Sequence, residues 1–170
     1  MFILHIAIVN KFHDDYTKHL AAVRETIDKL IEVLDLPKEE AIQMKSRAYS
    51  HDKSKMYDYN EFEGYILLNR ALEGVKYGSE EYDKAMKKYG KVIQLHYKNN
   101  DHHPEHFKNG IQDMNKFQIY EMICDWIGAF KVRNNTSNWK EGFEKNKIRF
   151  NIPDDVYDNM IGIAERLICQ

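Results

Sequence analysis

The chain has 170 residues, 25 of them basic and 27 acidic, and a formal net charge of −2 with neutral histidines. This length can bury one sizeable core, and the balanced charge excludes a general electrostatic attraction to nucleic acid or an anionic membrane. Two cysteines, Cys124 and Cys169, are too few for a disulfide framework. The apolar start over residues 1–9 is too short to cross a bilayer and lacks the basic region of a signal peptide. We interpret it as part of the core.

Apolar residues recur at steps of three and four along most of the chain, which indicates α-helices. The first helix is predicted over about residues 12–34, with His19 at the edge of its apolar stripe. Pro37 begins a second helix, which runs to about Tyr49 and is followed at once by His51 and Asp52.

The remaining helices are predicted from capping residues and apolar spacing. Asn60 caps a helix that stops near Gly74, and Ser79 caps one that runs through His96. Asp113 caps a helix over 114–131. A polar loop follows over 133–138, and the last two helices cover about 137–150 and the segment after Pro153. Every long segment is predicted to be helical, so the fold class is all-α.

The segment from Ser50 to Lys55 carries the first candidate site. Adjacent histidine and aspartate residues at the end of a helix can turn toward one point, where their nitrogen and oxygen atoms suit a divalent cation. Lys55, three residues after Asp52, can reach an anionic substrate beside that cation. The alternative is an ordinary polar pair on the surface.

Further histidines lie downstream of this segment. Four of the chain's eight histidines lie between His96 and His106, the others there being His102 and His103. His96 shares an apolar helix face with Tyr89 and Ile93, so we expect it to point inward as a ligand or as a partner of one. The cluster indicates metal binding, and the alternative is an exposed histidine-rich turn.

Two acidic residues lie one turn apart on the strongly apolar helix over 114–131, namely Glu121 and Asp125. A carboxylate in such surroundings requires a cation, because burying it without one is costly. That cation is either a metal ion or an arginine, for which the candidates are Arg24, Arg47 and Arg70.

The order of these residues, H…HD…HH…D, resembles the HD superfamily of metal-dependent phosphohydrolases. The segment His51–Lys55 is similar to the H-D-x-G-K form of its motif, with Ser54 in place of glycine. The segment His102–Glu105 is similar to the H-H-E motif of the cyclic-dinucleotide phosphodiesterase branch, with a proline inserted. The chain also resembles a small bacterial and phage family with H-D-x-S-K, H-H-P-E-H and a late D-W, here Asp125-Trp126. The resemblance covers about residues 12–130.

The length and the helical pattern predict one helical domain over 1–170, with six to seven helices. The resemblance makes this domain HD-like, with the motif core at about 12–130 and C-terminal helices 137–169 packing on it. It makes four residues the ligands of a first metal ion: His19, His51, Asp52 and Asp125. His102 and His103 match positions that serve a second metal or a substrate phosphate. His96, His106 and Glu121 are additional candidates as ligands or their partners. His96 does not match the family's spacing, so the number of ions, one or two, stays open.

The activity implied is hydrolysis of a nucleotide or another small phosphate ester through a metal-activated water, with Asp52 and Lys55 as catalytic residues. Lys55, Arg24 and Arg47 are candidates to bind the substrate phosphate. The mixed nitrogen and oxygen ligands suit Mn, Fe, Co, Ni or Zn. Two alternatives remain: a non-catalytic protein that binds metal or nucleotide, and a di-iron oxygenase of HD type. We expect a small phosphorylated partner, neither membrane nor nucleic acid, and a location in the cytoplasm of a bacterium or of a phage-infected host. Association into a homo-oligomer is left open.

Overall fold

The computed structural model describes residues 2–76, 79–133 and 136–169, and the side chains among them from Ile6 onward. These residues form helices and connecting turns and no strands, which confirms the all-α prediction. The helices are somewhat more numerous than expected, with nine α-helices in the described ranges. They are α1 Phe2–Val33, α2 Lys38–Ser50, α3 Ser54–Tyr57, α4 Tyr59–Leu72, α5 Glu80–Tyr89, α6 Lys91–Asn99, α7 Lys116–Val132, α8 Trp139–Phe150 and α9 Asp154–Ile168. Short 3₁₀ turns cover Pro104–His106, Gly110–Asp113 and Thr136–Asn138.

The segment predicted as one helix from Ser79 through His96 is divided at Gly90 into α5 and α6. A Cβ atom at Gly90 would lie 2.4 Å from the backbone oxygen of Met86. Only glycine fits such an approach without moving the backbone. The apolar spacing continues across the break, which is why the sequence pattern did not reveal it.

Two of the predicted N-caps are wrong by a few residues. Helix α4 is capped by Asp58, whose Oδ1 accepts from the backbone of Asn60 and Glu61. Helix α7 is capped by Asn115 in a capping box with Gln118, whereas the Asp113 carboxylate accepts from Asn109. In each case another short polar residue close to the predicted cap fills the role. The predicted cap at Ser79 is confirmed, since its Oγ accepts from the backbone N–H of Tyr82.

Contacts divide the chain into two compact units, each made of two segments. The first contains Met1–Thr17 and Asp52–Asn100, and the second contains Lys18–His51 and Asp101–Gln170. The expected single domain over 1–170 stays a prediction. No described helix is both long enough and apolar enough to cross a membrane.

The core of the first unit joins the start of α1 to α4. Ile8, Phe12 and Ile66 are buried there. The ring of Phe12 meets Phe62 edge-on and stacks on Tyr65, with centroids 5.8 Å apart in both pairs. The apolar start of the chain therefore contributes a core residue, Ile8, as expected from the sequence.

The core of the second unit is larger and surrounds α7. It includes Val23 and Ile27 of α1, together with Ile123 and Ile127 of α7, all fully buried. Helices α1 and α7 approach closely at Gly128, where a Cβ atom would lie 2.8 Å from Cγ2 of Val23. Val23 lies one helical turn after His19, and Gly128 lies about one turn after Asp125. This close approach therefore sets the distance between the two helices that carry His19 and Asp125.

Candidate metal centre

Three side chains of the second unit converge from three different helix positions. His19 lies on α1, His51 follows the last residue of α2 and is buried, and Asp125 lies on α7. His19 Nε2 is 2.9 Å from Asp125 Oδ1, and His51 Nε2 is 3.5 Å from the same oxygen. The two Nε2 atoms are 3.4 Å apart.

These separations match those of atoms that share one metal ion. Nitrogen and oxygen ligands at about 2.0–2.2 Å from a transition metal lie about 2.8–3.6 Å apart at octahedral or tetrahedral angles. The three distances among His19, His51 and Asp125 fall within that range. The residues present thus fit a divalent cation.

The charge of Asp125 also suits a cation. Burial raises the pKa of its carboxyl group, but the hydrogen bonds from His19 and His51 outweigh burial and hold the pKa well below its usual value. The group is therefore a carboxylate at neutral pH, ready to bind a positive ion. Of the two partners that the sequence left open for Asp125, arginine or a metal site, the structure surrounds it with histidines.

Glu121 lies one turn before Asp125 on α7 and contacts two more imidazole nitrogens. Its Oε1 is 2.8 Å from Nδ1 of His51 and 3.3 Å from Nδ1 of His102. The rings of His51 and His102 lie with centroids 4.4 Å apart. One ligand atom from each of His51, His102 and Asp125 can be chosen so that all three lie within 4.8 Å of one another.

Arg47 binds the other side of Glu121. Its Nε donates to Glu121 Oε2 at 2.5 Å, and its terminal nitrogens donate to Asp101. Burial lowers the pKa of Arg47, but the hydrogen bond to Asp101 and the charge of Glu121 outweigh it and raise that pKa above its usual value. Glu121 therefore has the arginine partner that the sequence offered as the alternative to metal. Arg47 holds two carboxylates, and its role at a substrate phosphate stays a prediction.

A further group of polar side chains lies in the first unit, around Asp52. Lys55 Nζ donates to Asp52 Oδ2 at 2.5 Å, and His96 Nε2 lies 3.3 Å from Asp52 Oδ1. His96 is buried, as its place on the apolar stripe predicted. Asp52 adopts a left-handed backbone conformation with φ of 54°, a conformation that Asp and Asn tolerate better than most residues.

The side chain of Glu61 completes this cluster. Its Oε1 is 2.7 Å from Nδ1 of His96, and its Oε2 accepts from Asn99 Nδ2 at 2.9 Å. Burial raises the pKa of Glu61, but the hydrogen bonds from His96 and Asn99 outweigh it and lower the pKa below its usual value. Asp52 itself stands next to His51 in the chain, and its assignment as a ligand of the first ion stays a prediction.

The model of a family of unknown function (DUF5662) matches residues 9–162. The chain belongs to this family. No curated protein and no solved structure matches it. The DUF5662 match covers every candidate site residue from His19 to Asp125, and the likeness to the HD superfamily remains a likeness of motifs.

Three other residues were candidates for binding metal or the substrate phosphate in this DUF5662 chain, and they differ in exposure and in contacts. His103 is partly exposed, and its ring lies 4.1 Å from that of His102. His106 is exposed, and its ring packs edge-on against Phe107. Arg24 donates to the backbone oxygens of Ala48 and Tyr49, at the end of α2. The predicted roles of these three residues, as ligands or at a phosphate, stay predictions.

Sequence reasoning missed Glu61 in this DUF5662 protein. An acidic residue in the first turn of a helix usually lies in solvent near the positive end of the helix dipole, so the position of Glu61 gives no sign of burial. Its spacing offered a signal, because Glu61, Tyr65 and Leu68 follow one another at steps of four and three. Glu61 and Leu68 are buried, and Tyr65 is partly buried. A glutamate on an apolar stripe therefore indicates a buried carboxylate with a polar partner.

Proposed function

We propose that the protein is a metal-dependent phosphohydrolase that acts on a nucleotide or another small phosphate ester. The observation that supports it is the set of three ligand atoms from His19, His51 and Asp125, separated by 2.9–3.5 Å. Two further features agree: the ionised Asp125 carboxylate, and the resemblance of the motif order to the HD superfamily.

A bound divalent cation supplies a Lewis acid for a phosphoryl oxygen and lowers the pKa of a water molecule toward neutrality. His19, His51 and Asp125 would hold it, and the resemblance adds Asp52 to the set. Neutral imidazoles and carboxylates are ligands that suit Mn, Fe, Co, Ni and Zn. The chain supplies the remaining charges for binding an anionic substrate.

Lys55 is the residue that we assign to the substrate phosphate. Its ammonium group pairs with Asp52 and lies 5.4 Å from the ring centroid of Tyr65, so it is held in a fixed place. Arg24 and Arg47 each donate to two acceptors of the protein itself. We choose Lys55 among the three because it follows the His51-Asp52 pair by three residues. The lysine ammonium is a compact cation with three hydrogen-bond donors, so it can bind a phosphate oxygen while it stays close to Asp52.

Metal analysis of the purified protein, followed by a phosphatase screen over nucleotides and simple phosphate esters in that metal, tests this function. We expect about one or two ions per chain and turnover of at least one phosphate ester, which is lost in His51→Ala. Bound metal without any turnover would favour the non-catalytic alternative. Iron with the optical spectrum of an oxo-bridged pair, measured after anaerobic purification and exposure to oxygen, would favour the oxygenase.

A further inference from the structure

One carboxylate oxygen in the second unit faces two imidazole rings. Glu121 is 3 % exposed, and its Oε1 lies 2.8 Å from Nδ1 of His51 and 3.3 Å from Nδ1 of His102. The facing atom is Nδ1 in both rings. A carboxylate oxygen accepts hydrogen bonds, so a proton on Nδ1 of each ring satisfies Glu121. Nε2 of His51 also faces Asp125 Oδ1 at 3.5 Å. A cation bound between these two atoms would take the place of a proton on Nε2, so the ring would then carry its proton on Nδ1 alone.

The other oxygen of Glu121 is held from the opposite side. Arg47 Nε donates to Oε2, and the same guanidinium binds Asp101, which precedes His102 in the chain. Gln118 Nε2 also donates to Asp101 Oδ2 at 2.7 Å. Arg47 therefore restrains both the carboxylate that faces the histidines and the residue beside one of them.

We propose that Glu121 is a positioning residue, and that it fixes His51 and His102 in the Nδ1–H tautomer so that both present Nε2 to a divalent cation. The sequence left two roles open for Glu121, ligand or partner of a ligand, and this proposal selects the second, since hydrogen bonds already engage both of its oxygens. The inference rests on the metal site of the proposed function and is independent of the hydrolysis of phosphate esters.

A hydrogen bond from Nδ1 to Glu121 would determine which nitrogen of each ring is available to bind a metal ion. A neutral imidazole carries its proton on either nitrogen, and only the other nitrogen has the lone pair that binds a metal. A carboxylate behind the ring selects the tautomer, fixes the ring orientation and makes the ligand nitrogen more basic. Removing such a partner typically weakens metal affinity about 10- to 100-fold.

The tautomers can be measured directly in the wild-type protein. Long-range ¹H–¹⁵N spectra of the zinc-loaded, ¹⁵N-histidine-labelled chain distinguish Nδ1–H from Nε2–H rings, with His51→Gln and His102→Gln used to assign the signals. We expect the Nδ1–H form for both residues. An Nε2–H ring or a doubly protonated ring at either position would overturn the proposal.

A matched pair of variants tests the energetic effect. Glu121→Gln should weaken zinc binding about 10- to 100-fold, whereas Glu141→Gln, at an exposed glutamate paired with Lys145, should bind zinc like the wild type. Equal affinity in the two variants would overturn the positioning role. A protein with the expected tautomers and zinc affinities but no turnover of any phosphate ester would refute the proposed function and leave this inference standing.

Discussion

His96 and Glu61 form a buried pair in which the imidazole Nδ1 lies 2.7 Å from the carboxylate Oε1. The opposite ring nitrogen, Nε2, lies 3.3 Å from Asp52 Oδ1. The same order, glutamate then imidazole then aspartate, occurs in the second unit with Glu121, His51 and Asp125. Each unit thus contains a histidine whose Nδ1 faces a buried glutamate and whose Nε2 faces an aspartate.

The pair formed by His96 and Glu61 predicts a pH dependence of stability. The pKa of Glu61 is lowered in the folded protein. The ionised Glu61 therefore adds to the free energy of unfolding, and this stabilisation is fully present above the pKa of the unfolded state. The contribution is lost as the pH falls from about 4.5 through the lower folded value. Glu61→Gln should therefore reduce the free energy of unfolding by about 2 kcal/mol at pH 7 and by less in acid. Urea unfolding of both proteins at several pH values measures this, and a constant difference across the range would contradict it.

Loss of metal should follow loss of a converging ligand. His51→Ala and Asp125→Ala each remove one of three atoms that lie 2.9–3.5 Å apart, so the metal content after dialysis should fall at least about tenfold. Asp52→Asn, which keeps a residue that tolerates the left-handed backbone at this position, should do the same if Asp52 is a ligand of this ion, as the resemblance implies. Elemental analysis of the purified variants is the measurement. His13→Ala, at an exposed histidine, is the control and should retain the wild-type content.

A test of catalysis rests on Lys55. Lys55→Met keeps the length of the side chain and removes the charge that pairs with Asp52. The variant should keep its metal while turnover of phosphate esters falls about 10- to 1000-fold, the range for losing one electrostatic stabiliser. A larger effect on kcat than on KM would place the interaction in the transition state. Lys84→Met, at an exposed lysine on α5, serves as the control, and equal turnover in the two variants would remove Lys55 from the site.

The close approach of α1 and α7 predicts a steric effect at Gly128. Gly128→Ala would place a methyl group 2.8 Å from Cγ2 of Val23 and should lower the free energy of unfolding by about 1–3 kcal/mol. Gly162→Ala, in a helix where an added Cβ meets nothing within 4 Å, should instead stabilise by about 0.5–1 kcal/mol. Thermal and urea unfolding compare the two.

A double variant tests whether the predicted loss of stability in Gly128→Ala comes from the clash with Val23. Adding Val23→Ala to Gly128→Ala removes the methyl groups that clash, so the double variant should lose less stability than the sum of the two single changes. Strict additivity would show that the contact between Val23 and Gly128 does not limit the distance between the helices.

The sequence predicted the helices well where apolar spacing and a nearby cap agreed. The bounds of α2 and the cap at Ser79 are examples. The errors in the predicted helix bounds have local causes. Several short polar residues stand near the start of α4 and of α7, and propensity does not choose among them. At Gly90 the helix is interrupted, and the spacing of apolar side chains, which continues across the interruption, does not report it.

The candidate site was predictable in its ligand types and less so in their partners. His19, His51 and Asp125 were selected from the sequence, and the structure places them together. The partners Glu61 and Glu121 depend on which side chains meet across helices that are 35 and 70 residues apart in sequence. A single sequence contains no direct information on which side chains pair across helices. Polar residues that hydrogen-bond a metal-binding histidine also do not recur at a characteristic spacing in the sequence.

Two separate requirements act on position 52: the left-handed backbone conformation, with φ of 54°, and the contacts of the side chain. The backbone there favours Gly, Asn or Asp, whereas contact with Lys55 and His96 requires a carboxylate. Aspartate satisfies both. A substitution series can therefore divide the roles, because Asn keeps the conformation and loses the charge, and Gly keeps only the conformation. Alanine fails both demands, so any defect of Asp52→Ala combines backbone strain with lost chemistry, and Asn is the substitution that isolates the chemistry.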